Sequence, residues 1–124
     1  MLRTLAALTL ACLTGCSTLA PHDDWTRRDT ALEITWQVAN AADMHTTQRI
    51  HERHGLIEGN PAARQFLGAN PDPRDVIVVG AMGGLSHYLI TRLLPPKWRP
   101  WWQGGTIALS GHAVATNCDN DLCD

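Results

Sequence analysis

The chain has 124 residues, with 10 Lys+Arg against 12 Asp+Glu and a formal net charge of −2. That length allows one domain with a modest core, and the mildly acidic balance argues against the basic stripes that nucleic-acid binding favours. Five Trp stand against one Tyr and one Phe, and Trp98, Trp101 and Trp102 crowd into one short turn.

The N-terminus has the layout of an export signal. Arg3 supplies the cationic start, Leu5 to Leu13 are nearly all apolar, and Leu13-Thr14-Gly15 lead into Cys16. The apolar run is too short to span a bilayer. Leu-Thr-Gly-Cys resembles the lipobox of bacterial lipoproteins. This implies removal of residues 1–15, acylation of Cys16 (palmitate-type chains), and a lipidated tether over 16–23. Residues 24–124 then form a single helical domain. Two or more acyl chains hold a protein stably on a bilayer, at roughly 0.8 kcal/mol per buried methylene. The simpler reading of Cys16, a spare thiol in an ordinary signal peptide, explains less of the upstream pattern. Ser17, where an Asp would resemble an inner-membrane retention signal, favours the outer membrane. Cys118 and Cys123 are the remaining thiols of the mature chain, and export makes them a plausible disulfide closing the C-terminal tail.

Three helices are expected, at about 29–54, 73–94 and 101–117. In the first, Asp24 or Asp29 is a candidate cap, and Gly55 a stop. Its polar residues Glu33, Gln37, Asn40, Asp43 and Thr47 share one face, with Ile34, Val38, Ala41, Ala42 and His45 opposite. Residues 59–73 read as a loop. Asp72, Pro73 and Asp75 then open the second helix, which Pro95-Pro96 ends. The third is weaker because it contains Gly104, Gly105 and Gly111.

Several constellations merit weighing. Gly80-x-x-x-Gly84, with His87 one turn on, suits close helix packing, here expected against the third helix, where Gly105, Leu109 and His112 form a matching face. Chance spacing in a Gly-rich segment is the alternative. Lys97-Trp98-Arg99-Pro100-Trp101-Trp102 reads as an interfacial anchor, with indoles at headgroup level and cations on the water side; the alternative is a Trp-rich core corner. His45, His51, Glu52 and His54, with Asp43 and Glu58, lack zinc-site spacing. Arg49, His51, Arg53 and His54 read more simply as cationic partners for the helix-end dipole. Asn117-x-Asp119-x-Asp121 lacks the Gly and distal Glu of a calcium loop.

The mature chain also resembles a group of small, uncharacterised proteins, often lipoproteins, of proteobacteria and their phages. The residues that carry the likeness are Asp43 to Thr47, Glu58-Gly59-Asn60-Pro61, Leu67-Gly68-Ala69-Asn70-Pro71 and Leu94-Pro95. Arg99-Pro100-Trp101-Trp102-Gln103, Thr106-Ile107 and Asn117 continue it. Ala62 to Phe66 look inserted, and Ser110 replaces an expected Glu. The resemblance implies a membrane-associated helical protein with a polar set of Asp43, Thr47, Glu58, Asn60 and Asn117, and no assigned activity. Buried polar groups are costly unless paired, so the set is a network or a site.

The resulting expectation is an all-α envelope lipoprotein facing the periplasm, with helices two and three as a membrane-associated hairpin and a structural or interaction role. Its partner is the bilayer through the acyl chains, with no nucleic acid and no identified protein partner. If the hairpin inserts, the inner membrane is favoured, because outer membranes rarely host helical spans. Arg92, Lys97 and Arg99 then face the cytoplasm, and the cysteines return to the oxidising side. One alternative is a metal-binding protein or metal-dependent enzyme using Asp43, Glu58, His87 and His112 with a divalent ion. Another is a soluble periplasmic bundle tethered only by lipid.

Overall fold

A computed structural model describes residues 24–53 and 55–123. The expected signal, the Cys16 lipid site and His54 lie outside the described residues. The described chain is all-α, with no strand, but it has four α-helices rather than the expected three.

Helix α1, Arg27–Gln48, is capped by Thr26, not by Asp24 or Asp29. Thr26 and Asp29 form a reciprocal capping box: the Thr26 hydroxyl accepts from the Asp29 N–H at 3.1 Å, and Asp29 accepts from the Thr26 N–H at 2.9 Å. The helix ends earlier than expected, running into a 3-10 turn, Arg49–Glu52. Gly55, at φ 90°, lies beyond that turn.

The expected loop 59–73 contains a further helix, α2, Pro61–Leu67. Asn60 Oδ1 accepts from the Ala63 N–H at 3.4 Å, Pro61 suits the first helical position, and Gly68 at φ 76° leaves the helix. The turn residues around this short run conceal it in the sequence. Helix α3, Pro73–Leu93, starts as expected, with Asp72 accepting from the Arg74 N–H at 2.8 Å. Helix α4, Arg99–Asp119, begins two residues early.

The packing differs from the expected hairpin. A tight turn joins α3 to α4, closed by Trp98 N–H to Pro95 O at 2.9 Å. Yet the two helices hardly touch one another, and α1 lies against both. The Gly80–Gly84 face accordingly meets α1, not α4. A Cβ on Gly80 would overlap the Met44 side chain, and one on Gly84 would stand 2.8 Å from Gln37 Oε1. Gly105 and Gly111 on α4 have nothing near them, so the matching glycine face expected there is not a contact.

Polarity is inverted relative to a soluble bundle. Among the described residues, only Trp36, Ile50, Val76 and Leu122 form a buried hydrophobic core, whereas Asp29, Glu33, Thr46, Thr47, Glu58, His87, Thr91, Arg99 and Gln103 are buried. Val78, Met82, Leu85 and Leu89 form an exposed apolar stripe along α3, and Ile34 and Val38 are exposed on α1. Among the described residues, α3 is the one helix long and apolar enough to cross a membrane. The 22-residue α1 and the 21-residue α3 and α4 are each about 32 Å long at ~1.5 Å per residue.

Candidate functional site

The bundle interior holds three polar layers. The first clamps the start of α1. Arg99 is fully buried, contacts Asp24 Oδ1 at 3.2 Å and Asp29 Oδ2 at 3.6 Å, and donates to Leu94 O at 3.0 Å. This corrects the sequence reading of Arg99 as a water-side cation. Gln103 joins this layer to the next, donating to Asp29 O at 3.0 Å and to Glu33 Oε2 at 3.3 Å.

The second layer centres on His87. Its ring stacks between Trp36, with centroids 3.7 Å apart, and Trp102, at 5.3 Å. Nδ1 meets Glu33 at 3.0–3.1 Å, and Nε2 meets the Thr106 hydroxyl at 2.8 Å. The Thr106 hydroxyl has carbonyl acceptors at Trp102, 2.9 Å away, and Gln103, 3.0 Å away. Both ring nitrogens are thus engaged: the Glu33 carboxylate accepts from Nδ1–H, and the Thr106 hydroxyl, which can donate or accept, meets Nε2.

Trp102 therefore belongs to the interior and not to an interfacial anchor. Trp98 and Trp101 are exposed as that expectation requires, with Lys97 set over the Trp98 ring at 5.9 Å.

The third layer lies at the other end, near the disulfide that joins Cys118 and Cys123 with Cα atoms 4.8 Å apart. Between the second and third layers, Gln37 donates to Gly84 O at 3.0 Å and Asn40 to Gly80 O at 3.1 Å. The α3 glycines thus expose carbonyls that α1 amides can reach. In the third layer, Asn117 Nδ2 contacts Thr46 Oγ1 at 2.8 Å, Asp43 Oδ1 at 3.3 Å and Thr47 Oγ1 at 3.5 Å. Glu58 is buried in the segment before α2. Its carboxylate accepts from the Asn60 N–H at 2.7 Å, and its backbone N–H donates to Ala69 O at 2.9 Å. Arg64 donates to the Glu58 carbonyl at 2.6 and 2.9 Å.

These residues border a half-open cavity of about 670 Å³ between α3 and α4. Asp43, Thr47, Glu58, Asn60, His112 and Asn117 all line it. The structure thus brings together six of the seven residues singled out for a polar network or metal. It does not bring in His87, which is engaged with Glu33 in another layer. His87 and His112 do not meet either, because His112 lies six residues beyond Thr106, about 9 Å further along the helix at ~1.5 Å per residue. The four-residue metal set of Asp43, Glu58, His87 and His112 therefore does not converge. Among the described residues, no three His, Cys, Asp or Glu side chains form a metal-holding group.

Sequence reasoning missed Thr46, Arg99 and Gln103 as buried polar residues. Arg99 and Gln103 were legible only as part of the resemblance, and Thr46 gave no signal beyond standing beside Thr47. No protein-family model, curated protein or solved structure matches the chain.

Proposed function

We propose that this is a membrane-anchored protein of the bacterial cell envelope, with a structural or interaction role, whose α1, α3 and α4 sit within the bilayer. The observation that carries the reading is the inverted polarity: among the described residues, nine polar or charged ones are buried, whereas the α3 stripe of Val78, Met82, Leu85 and Leu89 is exposed. In water that stripe lacks cover, whereas in hydrocarbon it faces its preferred solvent and the polar side chains find partners inside. The helix lengths of about 32 Å suit the ~30 Å hydrocarbon layer. Trp98 and Trp101, beside Lys97 at one end, fit an interfacial belt.

The lipid anchor at Cys16 is part of the same proposal and has a geometric consequence. Asp24 follows Cys16 by eight residues and is held by Arg99. Eight extended residues reach at most about 29 Å, so acyl chains on Cys16 lie at the Arg99 end of the bundle. A periplasmic lipid and the positive-inside rule therefore assign that end to opposite sides, and only one of them orients the bundle. Mass spectrometry of the mature N-terminus decides between them. An acylated Cys16 fixes Arg92, Lys97 and Arg99 on the periplasmic side, and a Cys118–Cys123 bridge at the opposite end then favours the outer membrane over the inner, whose far side is the reducing cytoplasm. An unmodified Cys16 ends the lipoprotein reading.

Alkaline carbonate extraction tests insertion itself. With residues 1–16 replaced by a cleavable secretory signal, the chain is expected to remain in the membrane pellet. Release into the supernatant contradicts an embedded bundle and favours a soluble domain that only a lipid tethers.

A further inference from the structure

The half-open cavity between α3 and α4 combines two features that a purely structural network does not need. Its walls are apolar or small: Val76, Val79 and Gly83 on α3, and Leu109 and Ala113 on α4. Its polar lining includes two carboxylates, Asp43 and Glu58, and neither forms an ion pair with a described Lys or Arg. The volume, about 670 Å³, falls within the ~300–1,000 Å³ of small-molecule sites. Val76 lies in the first turn of α3 and Asn117 in the last turn of α4, so the polar part lies near the bundle end. The apolar walls at Gly83 and Leu109 extend towards its middle.

We propose that this cavity binds a bilayer amphiphile with an ammonium head, of the phosphatidylethanolamine class. The head meets Asp43 and Glu58, and one acyl chain lies between α3 and α4. The reasoning rests on the membrane reading above and adds a ligand to it. Charge complementarity selects the head: two carboxylates with no ion pair to a described Lys or Arg favour an ammonium donor, which the oxygens of Asn60, Thr47 and Asn117 can also hydrogen-bond. The separation of α3 from α4 selects the tail. α1 forms the floor between them and leaves the cavity partly open. A phosphatidylglycerol of the same chains offers hydroxyls and a negative phosphate to the same carboxylates, and is disfavoured.

Native mass spectrometry of the detergent-purified full mature chain tests this, with phosphatidylethanolamine and phosphatidylglycerol of identical acyl chains as probes. The ethanolamine lipid is expected to be retained at roughly ten-fold lower concentration, a difference of about 1.4 kcal/mol. The combined Asp43→Asn and Glu58→Gln variant is expected to lose that preference. Gly83→Phe offers an independent variant that keeps both carboxylates. A Cβ on Gly83 meets nothing within 4 Å, so the phenyl ring fills cavity space and should reduce retention of the lipid. Equal retention of both lipids by the wild type, retention of neither, a preference that survives the carboxylate variant, or full retention by Gly83→Phe overturns the proposal. Carbonate extraction separates the two failures. A chain that stays in the pellet but does not discriminate between the lipids loses only the ligand, whereas a chain that is extracted loses the membrane reading.

Discussion

At the scale of single residues, His87 and Gly84 carry the most testable consequences. His87 has a carboxylate on one nitrogen, a hydroxyl on the other and an indole on each face. Glu33 accepts from His87, Gln37 and Gln103, so an amide in its place sets a buried donor against a donor, at a cost of about 1–3 kcal/mol. Glu33→Gln is therefore expected to lower the melting temperature of the detergent-purified protein sharply, followed by circular dichroism. An unchanged melting temperature contradicts the buried Glu33 hydrogen-bond cluster. Gly84 makes a contrast with Gly111. Gly84→Leu drives a side chain into Gln37 and should destabilise by roughly 1–3 kcal/mol. Gly111→Leu meets open space and should leave the stability within about 0.5 kcal/mol of the wild type's. Equal effects at the two glycines contradict the packing of α3 on α1. Both readings had a visible root in the sequence, the Gly80-x-x-x-Gly84 spacing and the lone histidine on an apolar helix. Their partners did not. Which helix a glycine face meets depends on tertiary packing, and periodicity within one helix contains no such information.

At the scale of elements, local chemistry was a good guide where it was strong and a poor one where it was weak. Asp72-Pro73 opens α3 as expected because an N-cap acceptor and a proline at the first turn act within three residues. The seven residues of α2 were lost among prolines and glycines, whose turn signals outweigh one short helix. The polar stripe of α1 was legible as a stripe, but its period alone does not say whether that face turns inwards. Tertiary contacts decide this, since Asn117 and His87 reach across to it from α4 and α3. Asn117 ties the end of α4 to α1 through Thr46 and Asp43. Asn117→Ala leaves those groups short of a donor and should cost about 1–3 kcal/mol. A double-mutant cycle with Thr46→Val should show coupling between the two positions, and strict additivity contradicts the contact. The same end is closed by the Cys118–Cys123 bridge and by Arg49 donating to Leu122 O at 3.3 Å. Non-reducing peptide mapping of protein isolated from the envelope should find both cysteines in one linked peptide. Alkylation of both without reductant contradicts an oxidised tail.

At the scale of the whole molecule, the hydrophobic effect and the polar network act in opposite places. A soluble bundle of this size places its large apolar side chains inside, where each contributes roughly 1.5–3 kcal/mol. Here the interior is tied by ion pairs and hydrogen bonds from Arg99 at one end to Asn117 at the other, and the apolar side chains of α3 point away from it. Such a bundle pairs its buried side-chain polar atoms, with Trp102 Nε1 and Gln103 Oε1 as the exceptions among the described residues, yet in water it lacks a driving force from its outer face. On the proposed reading a bilayer supplies the missing apolar environment. Leu85 lies midway along the exposed stripe of α3 and is 62 % exposed, so it reports directly on the surrounding medium. The decisive measurement is power-saturation EPR of a nitroxide at Leu85→Cys in the reconstituted protein. The account predicts high accessibility to oxygen and near exclusion of a water-soluble nickel complex. Strong relaxation by the nickel complex would place this face in water and contradict the embedded bundle.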